Sequence, residues 1–137
     1  NMQYWKAVRF LKIFKSKFLI FKFLMKYDLE ERVTKFGEAI IDFAKSLELN
    51  TINKPLISQL VKSATSIGAN YMEANQASSK KDFRNKIHLC RKEANETKHW
   101  LRMILKTNPE KRKECEKLWK EAHELVLIFS KISSKCK

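Results

Sequence analysis

A chain of 137 residues can bury the core of one domain without disulfides or a structural metal, and two glycines with two prolines punctuate too few turns for an all-β fold. Three cysteines, Cys90, Cys115 and Cys136, with no C-x-x-C pair, argue against a disulfide framework or a zinc or redox motif and fit a reducing cytoplasm. A net charge of +14 points to a nucleic acid, an anionic lipid or an acidic protein as partner.

Residues 1–26 read as a basic, Phe/Lys-rich N-terminal extension. They hold Lys6, Arg9, Lys12, Lys15, Lys17, Lys22 and Lys26 and no acid. The longest uncharged apolar run, Phe18 to Phe21, is far short of the roughly 20 residues of a membrane span. Lys22 interrupts any signal-peptide core, and the basic residues scatter around a helical wheel, so no membrane-surface face forms. "MKYDLEERV" from Met25 reads as a natural start followed by a helix cap. The preceding stretch has the composition either of AT-rich DNA read in frame or of a genuine basic tail. Mass spectrometry of the native N-terminus separates the two.

From residue 27 to 137 one domain is expected. Asp28 with Glu31 makes a capping-box-like start, and Leu29, Val33, Phe36, Ile40, Phe43 and Leu47 then alternate steps of four and three, the period of one helical face. That helix is expected to end near Leu49. A polar connection, Asn50 to Lys54, leads to Pro55, suited to a first helical turn, and a second helix to about Gln76. Its apolar face is Leu56, Leu60, Val61, Ala64, Ile67, Tyr71 and Ala74. Ser79 with Asp82 caps a third helix, with Phe83, Ile87, Cys90, Ala94, Leu101 and Ile104 inward. Asn108-Pro109 opens a fourth, with Cys115, Leu118, Ala122, Leu125, Phe129 and Ile132 inward. The expected fold is all-α: an antiparallel up-down-up-down four-helix bundle.

No catalytic constellation emerges, and neither enzyme activity nor a cofactor is expected. His88, His99 and His123 lack H-E-x-x-H spacing, and Gly37 and Gly68 are isolated rather than part of a phosphate loop. Glu96-Thr97-Lys98-His99 has the Glu-x-x-His spacing of a di-metal bundle site, but the second copy such a site needs is missing, since Glu73-Ala74-Asn75-Gln76 fails it. No metal is therefore expected, and ion pairing is the expected role of Glu73, Glu93 and Glu96.

The third helix carries a different feature. Arg84, Arg91 and Lys98 are spaced by seven, as are Lys81, His88, Asn95 and Arg102, and the two rows lie within about 60° of each other. Lys81, Arg84, Arg91, Lys98 and Arg102 are the candidate nucleic-acid contacts; a plain solvated face is the alternative. Leu89, Trp100 and Met103 form a second apolar edge, the expected subunit interface, while Trp119, one residue past Leu118, is either periphery or interface.

"YDLEERVTKFGEAIIDFAKSL", "SATSIGANYMEA" and "SKKDFRNKIHLCRKEANETKHWLRMI" together resemble the four-helix-bundle proteins encoded in 23S rRNA intervening sequences, and are similar to the accessory variability determinant of diversity-generating retroelements. The resemblance spans Met25 to Ile132. It implies a small, basic bacterial cytoplasmic bundle that assembles into a homopentamer, with no catalytic residue. The retroelement member is an adaptor for a reverse transcriptase and its RNA. Two functions follow as expectations: an RNA-binding oligomer, or a protein-interaction scaffold without nucleic-acid contact. Within the bundle, the small residues around Gly68 are expected to admit a neighbouring backbone, with Asn70 and Glu73 facing the third helix as hydrogen-bonding partners; Gly68, Asn70, Glu73 and Glu93 make up the expected helix-packing motif.

Overall fold

The computed structural model describes the backbone of residues 17–136, with side chains from Asp28. Four helices follow in order: α1 (Lys17–Lys45), α2 (Asn53–Asn75), α3 (Lys80–Thr107) and α4 (Arg112–Lys135), the last preceded by a 3₁₀ turn at Pro109–Lys111. Among the described residues there is no strand. Short connections impose antiparallel neighbours, and the cross-helix pairs show it: Glu30 meets Asn75, Ser63 meets Thr97, Glu73 meets Lys86 and Lys98 meets His123. The architecture is a four-helix bundle.

The apolar stripes form the core largely as their spacing demands. Leu29, Val33, Phe36, Ile40, Phe43 and Leu47 are all buried and meet Leu60, Ala64, Ile67, Tyr71 and Ala74 of α2, Ile87, Cys90, Ala94, Leu101 and Ile104 of α3, and Cys115, Ala122, Leu125 and Phe129 of α4. Leu56, Phe83, Leu118 and Ile132 pack at the margin, half-buried. Burial raises the Cys90 thiol to about 12 and the Cys115 thiol to about 11, so both stay protonated and unreactive at neutral pH.

Helix boundaries depart from expectation in two places. α1 does not start at Asp28 but runs unbroken from Lys17, because no glycine or proline interrupts residues 17–27 and nothing forces a cap. Residues 1–16 of the expected extension lie outside the described residues. At the other end α1 stops at Lys45, and Leu49 is left exposed. α2 opens at Asn53, with Asn50 supplying the cap: its Oδ1 accepts from the backbone N–H of Asn53 at 2.8 Å and of Ile52 at 3.1 Å. Pro55 falls in the first turn, where its missing N–H costs nothing. At α3 the Ser79 hydroxyl accepts from the Asp82 N–H at 3.0 Å, as a capping serine should.

Both glycines lie where α1 and α2 cross. A Cβ at Gly68 would sit 3.7 Å from Val33 Cγ2 and 3.9 Å from the Val33 carbonyl oxygen; one at Gly37 would sit 3.8 Å from Thr65 Cα. A neighbouring backbone does approach closely, but the gap holds one methyl group at ordinary contact. Gly68→Ala is therefore expected to be neutral or to stabilise by up to about 1 kcal/mol through helix propensity. Gly68→Leu, which drives further carbons into Val33, is expected to cost about 1–3 kcal/mol. Denaturant melts of both variants check this, and an unchanged midpoint for the leucine variant would refute it.

Two polar clusters absent from the stripe pattern pin the helices. Ser63 and Thr97 are buried between α2 and α3 with hydroxyl oxygens 2.9 Å apart. At one end of the bundle Asn53 and Asn108 exchange amide hydrogen bonds of 3.1 and 3.0 Å, and Asn53 Nδ2 also donates to the Glu48 carbonyl at 2.9 Å. This pair ties the α1–α2 connection to the α3–α4 connection.

Candidate nucleic-acid interface

The five predicted cations all lie on α3, but they do not form a purely solvated ridge. Lys81 and Arg102 are exposed, whereas Arg84, Arg91 and Lys98 are half-buried because the row leans toward α4. Lys98 Nζ lies 3.0 Å from His123 Nδ1, and Arg91 Nη2 lies 3.3 Å from His88 Nδ1. An ammonium only donates, so His123 Nδ1 accepts. His88 accepts likewise from Arg91, which leaves its Nε2–H to donate to Ser133 Oγ at 3.3 Å. These contacts hold Arg91 and Lys98 at the α3–α4 edge.

None of the five is ion-paired to a carboxylate among the described residues, and the reason lies in where the acids point. Glu121 and Glu124 of α4 turn to the other edge of their helix, toward α1. There the Arg32 guanidinium donates to Glu121 through Nε at 2.6 Å and Nη2 at 3.0 Å, and also bonds Glu124. Glu73 of α2 is taken by Lys86 at 2.8 Å, on the opposite side of α3. The acids thus neutralise cations elsewhere, and the α3–α4 edge keeps its positive charge.

Trp119 joins this edge. Its indole stacks on His123 with centroids 5.2 Å apart and planes 14° from parallel, and Lys98 Nζ lies 4.6 Å from the indole centroid. Sequence reading left Trp119 undecided because its place depends on the α3–α4 register. That register pairs residue 98 with 123 and 88 with 133, which sets Arg102 level with Trp119.

The remaining predicted residues fall elsewhere. Glu73 does reach α3, through Lys86, but Asn70 does not: its Nδ2 donates at 2.9 Å to the Ser66 carbonyl of its own helix. A side-chain bond to the preceding turn is nearer than any group across the interface. Glu93 is half-buried with no hydrogen-bond partner for its carboxylate among the described residues, and desolvation, then the nearby Glu96 charge, raises its pKa above the ordinary 4.5. A raised carboxylate favours the folded state below the ordinary pKa and loses that advantage as pH rises through the folded value. Glu93→Gln is therefore expected to melt higher than the parent at neutral pH, with the difference vanishing below about pH 4.5. Equal melting at neutral pH would show the site to be fully solvated.

Leu89 is exposed, while Trp100 and Met103 are half-buried. The Trp100 indole N–H is buried without an acceptor, and the ring meets His99 edge-on at 4.8 Å. Glu96 and His99 are both exposed, and no group of three or more metal-ligating side chains comes together among the described residues. Between α1 and α4, which touch sparsely, runs an open groove of about 780 Å³ lined by Phe36, Leu118 and the Arg32–Glu121 pair. It holds neither histidine nor cysteine.

No helix among the described residues is long and apolar enough to cross a membrane. No curated protein matches the chain. A crystal structure of a protein with unknown function from the S23 ribosomal protein family of Bacteroides thetaiotaomicron VPI-5482 is similar, at 31% identity with a TM-score of 0.73, covering 80% of this chain and 97% of that one. A family model described as 23S rRNA-intervening sequence protein matches residues 25–131. With that match spanning most of its length, and with the four-helix bundle in place, the chain belongs to the 23S rRNA-intervening sequence protein family.

Proposed function

We propose that this protein is a non-enzymatic, RNA-binding homo-oligomer of the bacterial cytoplasm whose contact surface is the α3–α4 edge. The observation that carries the reading is the row Lys81, Arg84, Arg91, Lys98 and Arg102. It extends for about 32 Å at 1.5 Å per residue and is not ion-paired among the described residues, while Glu73 of α2 and Glu121 and Glu124 of α4 are engaged elsewhere. A phosphate chain is the polyanion that matches a long row of fixed cations, because affinity grows with each phosphate neutralised. The family name, which speaks of 23S rRNA intervening sequences, supports RNA over other polyanions.

Self-association follows from the other edge of α3. Leu89 with Trp100 and Met103 offers an apolar strip that a second copy can cover. Resemblance to the retroelement accessory determinant favours a pentamer, which multiplies the cationic rows on one particle. The same strip also supports a second reading, docking of a protein partner such as a reverse transcriptase. Purifying the full chain with and without nuclease separates the two. RNA that co-purifies and leaves in high salt supports RNA binding. A protein that stays attached after nuclease treatment, with no RNA bound beforehand, replaces it with the scaffold reading. Light scattering of the same samples reports the oligomer.

A further inference from the structure

The geometry of the α3–α4 edge points to a more specific ligand: we infer that Trp119 is a stacking platform for an unpaired nucleobase, so that the row of cations takes single-stranded rather than duplex RNA. This rests on the RNA-binding reading above and adds to it the strandedness of the ligand.

Trp119 is 37% exposed at the edge of the cationic row instead of sealed in the core. The ring is held rather than loose: His123 lies parallel to it at 5.2 Å, and Lys98 Nζ lies 4.6 Å from its centroid while sharing His123 Nδ1 at 3.0 Å. Lys98, His123 and Trp119 therefore fix one another across two helices, so little side-chain freedom is left for a ligand to freeze. His123 and Lys98, 3.0 Å from each other, lie on the same face of the indole, so the other face meets neither of them. Cations at Lys98 and Arg102 flank the ring, the latter by the antiparallel register.

A strand whose phosphates follow such a row brings its bases alongside. In a duplex those bases are stacked on each other and their faces are hidden. In a single strand they are free to stack on an aromatic ring, and this is the way proteins grip single strands without reading sequence. An exposed, pre-ordered indole among fixed cations serves the second ligand and does nothing for the first.

The test compares binding of a fluorescein-labelled, unstructured oligouridylate and of an RNA duplex of equal length by anisotropy, using the full chain, Trp119→Ala and Trp119→Phe. Trp119→Ala is expected to weaken single-strand binding by roughly 5- to 150-fold, the range for loss of one base stack. Its salt dependence should be unchanged, because no phosphate contact is removed, and duplex binding should not fall. Trp119→Phe, which keeps an aromatic face and its packing on His123, should recover most of the affinity, separating stacking from a folding defect. Single-strand binding by Trp119→Ala equal to that of the parent, or an equal loss on duplex, would overturn the platform while leaving the cationic surface standing. Failure of the parent chain to bind either RNA would overturn both readings.

Discussion

Replacing Phe129 by alanine is expected to cost about 3–5 kcal/mol of folding stability, the largest loss of any single core substitution in α4. The four buried apolar residues of α4 are Cys115, Ala122, Leu125 and Phe129, and only the last is aromatic. α4 leans mainly on α3 and barely on α1, so it has few other apolar contacts to compensate. Phe129 also reaches across the core: its ring lies 5.9 Å from that of Tyr71 on α2, with Tyr71 itself buried and its hydroxyl pushed up to about 12 by desolvation. Truncation therefore removes the contact joining α4 to the far side of the bundle and leaves a cavity that the surrounding helices cannot fill. A fall in melting temperature on the order of 10 °C or more is expected by circular dichroism. Phe129→Leu should lose much less. A Phe129→Ala transition within about 1 kcal/mol of the parent would mean that α4 is held by something other than this core.

The second large effect falls on binding. Arg84→Ala with Arg91→Ala is expected to weaken RNA binding on the order of tenfold at physiological salt, and to reduce the salt slope by about 1.4 if each side chain meets one phosphate of a single strand. Adding Lys81→Ala and Arg102→Ala should bring binding to the detection limit. Lys98 is left in place because it also packs on Trp119. The control removes the same charge elsewhere: Lys45→Ala with Lys62→Ala, both exposed and on α1 and α2. An equal loss in the control would show that net charge, not the α3–α4 edge, is responsible. Melting curves of each variant exclude unfolding, and Arg91→Lys, which retains the charge, should keep most of the affinity.

How far the molecule was legible from its residues depended on the range of the interaction. The α1 stripe from Leu29 to Leu47 is buried throughout, because steps of three and four leave one way to hide six large apolar groups. The Ser79 cap spans three residues and was equally readable. Asp28 misled, since a capping-box pattern permits a helix start without compelling one, and the preceding residues continue the helix. The Asn53–Asn108 pair joins positions 55 apart, and nothing local marks the asparagine that opens α2 and the one that follows α3 as partners.

The candidate site divides the same way. Seven-residue spacing placed Lys81, Arg84, Arg91, Lys98 and Arg102 on one helix, and helical geometry alone was enough. That Glu121 and Glu124 face Arg32, leaving those cations without carboxylate partners, and that Trp119 and His123 join them, depends on how α4 is rotated and registered against α3. Asn70 shows the converse: a nearby carbonyl captured the side chain before any cross-helix partner could.

The most direct measurement of the account is the affinity of the full chain for an unstructured RNA across about 50 to 200 mM salt. Five phosphate contacts on a single strand predict that log K falls with log salt at a slope near −3.5, where K is the association constant. A flat dependence, or no binding at the lowest salt, would contradict the assignment of the α3–α4 edge as a nucleic-acid surface.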